Sequence, residues 1–263
     1  MPDLVDLFVR WWKKILFIVI ASLLLAAIVV LKKPKKYLSV ASAVPASTFA
    51  SDKGKIFNEN IQELYSTLGT PDDLDVVSGL GTLDTLYLTI CDKLSLPQYY
   101  HTNGTASRQD AADRLKKNSK IYKSEYGNLK VKVWDKEKDM AAKMANELMS
   151  QLQKMFQQIQ SAGNIAILDG LLTKKKEMLN KVDSLNLAPD EGRTSQMLQY
   201  DKLINEYQLM VENKPPALII VENARPAQYY DQPKILLTLV ATAVLSFLFA
   251  LLTAIVIDIK KTH

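Results

Sequence analysis

Residues that could carry out acid–base or nucleophilic chemistry are few in this sequence. Its 263 residues include two histidines, His101 and His263, and one cysteine, Cys91. No nucleophile, base and orienting carboxylate have the spacing of a hydrolase, and no histidine, cysteine and carboxylate cluster has the spacing of metal ligands. We therefore expect no catalytic residue, no metal site and no cofactor, and we do not expect an enzyme.

Two short polar segments contain residue types that could bind a ligand. Asp72, Asp73 and Asp75 could form a carboxylate site, although an acidic loop in solvent is the simpler interpretation. The aromatic segment 98–101 could stack on sugar rings, and a surface loop is the simpler interpretation there. The glycine pair at 79 and 81 lacks the third glycine and the Lys-Ser/Thr pair of a phosphate-binding loop, so we interpret it as a turn.

The strongest signal is a pair of long apolar runs, one near each end of the chain. Residues 235–257 carry no charge and, at ~1.5 Å rise per residue, can cross the ~30 Å hydrocarbon core of a membrane. Residues 15–31 form the second run, and Trp11 and Trp12 precede it as an aromatic belt. The alternative is a cleaved signal peptide, but this run is longer than a signal core and lacks a cleavage motif. We predict two retained spans.

The charges beside the spans do not determine an orientation. The formal net charge of +5 is concentrated next to the apolar runs, where anionic lipid headgroups explain it without nucleic acid. Basic residues flank both sides of the spans in nearly equal number, so the positive-inside rule is balanced. The two sets are Arg10, Lys13, Lys14, Lys260 and Lys261 towards the chain ends, and Lys32, Lys33, Lys35, Lys36 and Lys234 towards the middle.

The segment between the spans has the pattern of a mixed α and β domain, which predicts an α+β fold. Alternating apolar residues predict strands at 37–44 and 129–133. The turn residues at 126–128 join the strand at 129–133 to a strand before it, and the apolar run at 217–221 predicts a further strand that can pair with 129–133. Helical spacing of apolar residues predicts helices at 58–68, 82–94, 107–118 and from Asp135 onwards.

A helical extension is predicted at 164–213. Apolar residues at three-four spacing on both sides of a PDEG break favour a hairpin of antiparallel helices, at 164–187 and 194–213. The alternative is one very long helix over 136–187, which Gly163 and Gly170 weaken without excluding it.

Three stretches resemble the Wzz-type polysaccharide chain-length determinants, a family also called polysaccharide co-polymerases. They are LDTLYLTICDKLSL at 83–96, LKVKVWDKEKDMAAKMANELM at 129–149 and IIVENARPAQYYDQPKI at 219–235. Their order between two terminal spans is more specific than any one of them. The chain departs from the family in two ways. Of the more regularly spaced prolines before the second span only Pro226 and Pro233 remain, and the helical extension is shorter than in the larger members.

The resemblance implies a protein of the inner membrane with both termini in the cytoplasm and a periplasmic α/β base carrying the helical extension. It implies a homo-oligomer beside a membrane polysaccharide polymerase or export machinery. This oligomer would contact the growing polysaccharide (O-antigen, capsule or exopolysaccharide) and regulate its chain length. The absence of a Walker motif or tyrosine-rich tail after the second span predicts no fused autokinase. The implied order is a cytoplasmic segment 1–14, a span 15–31, a periplasmic domain 32–234, a span 235–257 and a cytoplasmic tail 258–263.

Two sets of residues are candidates for contacts in such an assembly. Lys174, Lys175 and Lys176 could form a cationic strip that holds an acidic glycan without fixing its register, although a solvated helix face is the simpler interpretation. Small residues recur at every fourth position of the second span and could pack against another helix, with Ser22 and Ala26 as a counterpart on the first. The recurring residues are Thr242, Ser246, Ala250 and Ala254.

Two other functions stay open at this point. One is a membrane adaptor that activates a separate cytoplasmic tyrosine autokinase in capsule export. The other is a two-span sensor with an extracytoplasmic ligand domain, which is disfavoured because the few residues after the second span leave no room for an output domain.

Overall fold

The computed structural model describes residues 4–46, 72–102, 104–184, 191–214 and 216–262. The predicted helix at 58–68 lies outside these ranges. Within them the chain combines helices with one four-stranded sheet and has a long apolar helix at each end. The predicted α+β fold class is therefore confirmed.

The helices and strands follow one another in a mixed order. The helices are α1 (Leu4–Lys32), α2 (Asp73–Leu80), α3 (Asp84–Lys93), α4 (Leu96–Tyr99), α5 (Ser107–Lys117), α6 (Lys138–Ser184), α7 (Glu191–Asn213) and α8 (Ile235–Thr262). The strands are β1 (Tyr37–Pro45), β2 (Ser119–Lys123), β3 (Leu129–Asp135) and β4 (Leu218–Glu222).

The chain divides into two compact units. The membrane unit consists of Met1–Leu38, Asp135–Lys138 and Ala227–His263, and it contains α1 and α8. The α+β unit consists of Ser39–Trp134 and Asp139–Pro226, and it contains most of the sheet and the remaining helices.

In the membrane unit, α1 and α8 have the length and composition of membrane spans. Their spanning parts are Arg10–Lys32 and Ile235–Asp258, with mean hydropathies of 3.0 and 2.7. Most of their large apolar side chains are exposed, as expected for helices surrounded by lipid. The two helices pack against each other around a small buried cluster that contains Trp11, Ile15, Ala250 and Ala254.

In the α+β unit, the sheet has the strand order β2-β3-β1-β4. β2 and β3 form an antiparallel hairpin. Gly127 in its turn has a left-handed φ of 71°, which glycine adopts without steric cost. The alternation predicted for β3 is confirmed, because every second residue of this strand is buried, from Leu129 to Asp135.

The predicted pairing of residues 217–221 with 129–133 is wrong. β4 pairs antiparallel with β1, with Ala43 opposite Ile220. β1 occupies the inner position between β3 and β4, and its Ala41 and Ala43 are fully buried. β4 lies at the sheet edge, where most of its residues are exposed.

The core of the α+β unit combines side chains of the sheet with those of α2, α3, α5 and the first part of α6. The apolar stripe predicted after Asp135 supplies fully buried Met144, Leu148 and Leu152. Asp135 itself accepts a hydrogen bond from the Glu137 N–H at 3.1 Å, two residues further on. It therefore stabilises the turn that leads into α6.

α6 continues without a break from Lys138 to Ser184 and has 47 residues. The predicted break near Gly163 does not occur, and Gly170 is helical as well. A glycine costs a helix interior only about 1 kcal/mol relative to alanine, and a helix that packs on a core can absorb two such costs. The alternative prediction of one very long helix is therefore correct for the first helix of the hairpin.

α7 returns antiparallel to the distal part of α6, so the predicted hairpin is also present. Lys175 of α6 forms an ion pair with Asp201 of α7. Nearer the start of α6, the Gln157 amide donates to the carbonyl of Lys214, just beyond α7. The sequence order of these two contacts shows that α7 runs antiparallel to α6. Met210 of α7 is buried.

Candidate binding surfaces

Among the residues that the structure describes, the cysteine and the histidine with catalytic side chains do not converge on one site. Cys91 is fully buried, and its thiol donates to the Arg108 carbonyl at 3.4 Å. Burial raises the pKa of the Cys91 thiol, and the neighbouring carboxylate of Asp92 adds to the effect. His101 is exposed and has a left-handed φ of 53°. Within the described ranges, no group of three histidine, cysteine or carboxylate residues could hold a metal ion.

The aromatic segment 98–101 packs against the core of the α+β unit. The rings of Tyr99 and Tyr100 lie 4.9 Å apart, and both are partly buried. The Tyr100 hydroxyl donates to the Met144 sulfur at 3.4 Å, and the Arg114 guanidinium lies 4.6 Å from the centre of the same ring. These contacts leave Tyr100 little free ring surface for stacking on a sugar.

The acidic residues at 72–75 lie at the start of α2. Asp73 and Asp75 occupy its first turn, where carboxylates interact favourably with the helix dipole. Asp75 also forms an ion pair with Lys123 of β2 at 2.9 Å. The helix dipole and the ion pair with Lys123 thus give Asp73 and Asp75 a structural role.

The three lysines at 174–176 differ in their surroundings on α6. Lys174 pairs with Glu177 at 3.2 Å, and Lys175 pairs with Asp201 across the hairpin. Lys176 is exposed and pairs with no residue that the structure describes. Two of the three charges are therefore partly neutralised within the hairpin.

A second basic surface lies on the β2–β3 hairpin, and we call it the basic sheet face. Lys120 lies opposite Lys132, and Tyr122 lies opposite Lys130. The Nζ atoms of Lys120 and Lys132 each lie 5.3 Å from the centre of the Tyr122 ring. In the described part of the chain, none of the three lysines forms an ion pair.

The sequence contained a signal for this surface that we did not use. In LKVKVWD the buried residues alternate with lysines, so Lys130 and Lys132 had to share the opposite face of the sheet. What the sequence did not provide was the register that places Lys120 and Tyr122 beside them. Lysines directly opposite each other repel, and a bound anion would relieve that repulsion.

Two of the small residues of the second span lie at the contact between α8 and α1. Ala250 and Ala254 belong to the buried cluster between the two helices, and Ser246 is also buried. Thr242 is partly buried, and its hydroxyl donates to the Thr238 carbonyl at 2.8 Å. Ala250 and Ala254 therefore pack within one chain.

A polar contact joins the two helices at one end. Asp258 of α8 is largely buried and accepts hydrogen bonds from the Trp11 indole at 3.3 Å and from Arg10 at 3.4 Å. Ser22 and Ala26, the expected counterparts of the small stripe, are only partly buried. The larger side chains near the start of α1 fill that role.

The connectors at the other end of the spans pair with each other. The Lys36 N–H donates to the Gln232 carbonyl at 3.0 Å, and the Asp231 N–H donates to the Lys36 carbonyl at 2.8 Å. Pro233 follows Gln232 across a cis peptide bond, and Pro226 is exposed. The prolines thus lie on either side of a connector, and its residues 231 and 232, next to Pro233, are held by backbone hydrogen bonds.

Comparison with known proteins finds similarity among solved structures only. No protein-family model matches the sequence, and no curated protein matches it. A full-length bacterial polysaccharide co-polymerase is similar over 100% of this chain and 99% of its own, with 13% identity and a TM-score of 0.45. A fragment of WzzB, a polysaccharide co-polymerase from Salmonella Typhimurium, is similar over 76% of this chain and 100% of its own, with 12% identity and a TM-score of 0.40. These solved structures bear the name of the family that the sequence resembles.

Proposed function

We propose that this protein is a non-catalytic scaffold of the inner membrane that regulates the chain length, or supports the export, of a surface polysaccharide. It acts as a homo-oligomer, with both termini in the cytoplasm and the α+β unit in the periplasm. The order of strand, helix and connector motifs between two terminal spans supports this proposal, since it is the order of the family that the sequence resembles.

The observation that carries the proposal is the way the chain is anchored. α1 and α8 pack against each other, and the connectors that follow and precede them are joined by hydrogen bonds around Lys36 and Gln232. The segment between these connectors therefore has both of its ends fixed at one place. A scaffold that must stay beside a membrane polymerase requires this kind of attachment.

The contact with polysaccharide is assigned to the basic sheet face. The ammonium groups of its three lysines, Lys120, Lys130 and Lys132, can attract an acidic polymer through charge. Lys174 and Lys176 on α6 are exposed and provide a second, weaker region of positive charge. Such contacts hold a flexible chain without selecting one register.

The proposed function can be tested on a gel that separates polysaccharide by length, with samples from cells with and without the gene. Regulation of length predicts that a preferred length gives way to a short or random ladder when the gene is deleted. Complete loss of polymer would instead favour export or activation of a separate tyrosine kinase. An unchanged ladder would reject the proposal and favour a sensor.

The mass of the purified chain in a lipid nanodisc or mild detergent tests the scaffold. A homo-oligomer predicts a particle of several protomers whose mass is stable on dilution. A strictly monomeric particle at concentrations like those in a membrane would contradict the scaffold even if the gene affected chain length.

A further inference from the structure

A basic pocket lies at the end of the spans where the two connectors pair. Its volume is about 490 Å³. We call it the connector pocket, and it is lined by Lys33, Pro34, Lys36, Gln232, Pro233, Lys234 and Thr238. All of these residues belong to the membrane unit, and three of them are lysines.

The shape of the connector pocket is fixed by the backbone. Lys36 and Gln232 form an antiparallel bridge, and the Asp231 N–H donates to the Lys36 carbonyl. On α8, the Thr238 hydroxyl donates to the Lys234 carbonyl at 3.0 Å. The walls are therefore in place before a ligand binds, which lowers the entropy cost of binding.

The charge of the connector pocket is positive. Lys33 and Lys234 are exposed, and neither forms an ion pair with a described residue. Lys35 lies next to the pocket and faces the Tyr230 ring, with its Nζ 5.0 Å from the ring centre. Asp231 is the carboxylate of this region and lines the neighbouring groove.

That neighbouring groove is apolar and has a volume of about 730 Å³. It shares Pro233 and Lys234 with the connector pocket and continues along the first turns of α8 past Leu236, Leu237 and Val240. Leu236 and Leu237 are 78% and 68% exposed, so in a membrane they face lipid. Tyr229 and Tyr230 line its other end, as aromatic residues do at the level of lipid headgroups.

We propose that the connector pocket and the adjoining groove form one site for an anionic phospholipid of the surrounding leaflet. The phosphate binds Lys33, Lys36 and Lys234, and an acyl chain lies along Leu236 and Leu237. The combination of a positive pocket with an apolar groove selects an amphiphile, whereas a free anion would use only half of the surface. The inference depends on α1 and α8 crossing a membrane and does not depend on the role in polysaccharide synthesis.

The site has a direct consequence for affinity. Each lysine near an anionic lipid surface contributes about 1 kcal/mol, so replacing all three with glutamine should weaken binding of the anionic lipid by ~100-fold. Binding of a zwitterionic lipid with the same acyl chains should change little, because its headgroup has no net charge.

Native mass spectrometry of the full chain in detergent micelles tests the site. The probes are phosphatidylglycerol and phosphatidylcholine with identical acyl chains, added at equal concentration. The wild type should retain phosphatidylglycerol at least ~10-fold more often than phosphatidylcholine, and the Lys33→Gln/Lys36→Gln/Lys234→Gln variant should lose this preference. The Lys117→Gln/Lys143→Gln/Lys154→Gln variant removes three exposed lysines of the α+β unit and should keep it.

Three outcomes would overturn the proposal. They are equal retention of the two lipids by the wild type, retained preference in the triple variant, and displacement of the lipid by inorganic phosphate at equal concentration. If the triple variant does not fold, the Lys33→Gln/Lys234→Gln variant replaces it, because both side chains are exposed and unpaired among the described residues. This double variant should still lower retention of phosphatidylglycerol by roughly 10-fold or more, and an unchanged value would contradict the site.

Discussion

Asn146 and Ala224 are joined by two hydrogen bonds. The Asn146 amide donates to the Ala224 carbonyl at 3.0 Å, and the Ala224 N–H donates to the Asn146 side-chain oxygen at 2.7 Å. A side chain on α6 thus satisfies both backbone groups of a residue just beyond β4. Asn146 lies in the stretch 129–149 that carries part of the family resemblance, and this contact gives its side chain a structural role.

Replacing Asn146 with alanine should destabilise the α+β unit. The Ala224 N–H is buried and would lose its partner, which costs about 1–3 kcal/mol. This corresponds to a fall in melting temperature of roughly 2–4 °C per kcal/mol for a unit of this size. Lys143→Ala on the same helix removes only an exposed side chain and is the control, with an expected effect within ~0.5 kcal/mol. Equal melting temperatures for the two variants would show that the paired hydrogen bonds add no stability.

Gly81 and Gly79 form a matched pair of glycines around the end of α2. A Cβ at Gly81 would lie 2.9 Å from Cγ2 and 3.0 Å from Cβ of Ile121, so Gly81→Ala should cost about 1–3 kcal/mol through overpacking. A Cβ at Gly79 meets nothing within 4 Å, and Gly79→Ala should be neutral or stabilise by up to ~1 kcal/mol because alanine favours the helix. Thermal unfolding of both variants measures the difference. A similar loss in both would contradict the close approach of Ile121.

Tyr87 should make stability depend on alkaline pH. Burial raises the pKa of its hydroxyl above the ordinary value of 10.0, although Ser119 and Lys116 oppose the change. Because the pKa is higher in the folded than in the unfolded state, the contribution is fully present below about pH 10 and is lost as the pH rises through the folded value. The buried hydroxyl also donates to the Gly81 carbonyl at 2.7 Å, which an ionised tyrosine cannot do.

Chemical unfolding of the wild type and Tyr87→Phe at pH 9 and pH 11 checks this. The variant should be less stable at pH 9 by about 1 kcal/mol, since the Gly81 carbonyl loses its donor. The difference in the free energy of unfolding between the two proteins should shrink at pH 11, because only the wild type loses stability as Tyr87 ionises. A gap that stays constant between the two pH values would mean that the hydroxyl titrates equally in both states.

Neutralising the basic sheet face should weaken polysaccharide binding without unfolding the protein. Lys120→Gln/Lys130→Gln/Lys132→Gln removes a like-charged pair from adjacent strands, so its effect on stability should be neutral or favourable. Affinity for an acidic polysaccharide should fall roughly 10-fold, and the remaining binding should depend less on salt. Binding assays at low and high salt, together with the gel of polysaccharide length, measure both effects.

The control for this prediction is the Lys117→Gln/Lys143→Gln/Lys154→Gln variant, which removes the same charge elsewhere in the α+β unit. If it reduced affinity as much as the sheet variant, the net charge of the protein would explain the binding and the assignment to this surface would fail.

Local patterns predicted most elements of the fold, and long-range pairing could not be predicted from them. The alternation at 129–133 and the apolar run at 217–221 each identified a strand, because burial of one face is recorded in the spacing of residues. Which strands lie side by side depends on contacts between distant parts of the chain, and the spacing of residues does not record these contacts. Gly163 was over-interpreted for a related reason, since tertiary packing outweighs a local helix penalty.

The candidate surfaces could be predicted only in part. The lysine run at 174–176 was visible because its members are adjacent in sequence, yet Asp201 lies across the hairpin and neutralises one of them. Lys120 and Lys132 were overlooked because only the strand register brings them together. The connector pocket required knowledge that residues 33–36 and 232–238 meet.

The bridge between Lys36 and Gln232 also changes how the α+β unit can fold. Pairing β1 with β4 closes a loop of most of the chain, and in a free polymer of roughly 200 residues that closure costs ~5 kcal/mol in entropy. When α1 and α8 associate first in the bilayer, this cost is met before the sheet forms. The excised α+β unit would have to meet this entropy cost alone, so we expect association of α1 and α8 to favour the pairing of β1 with β4.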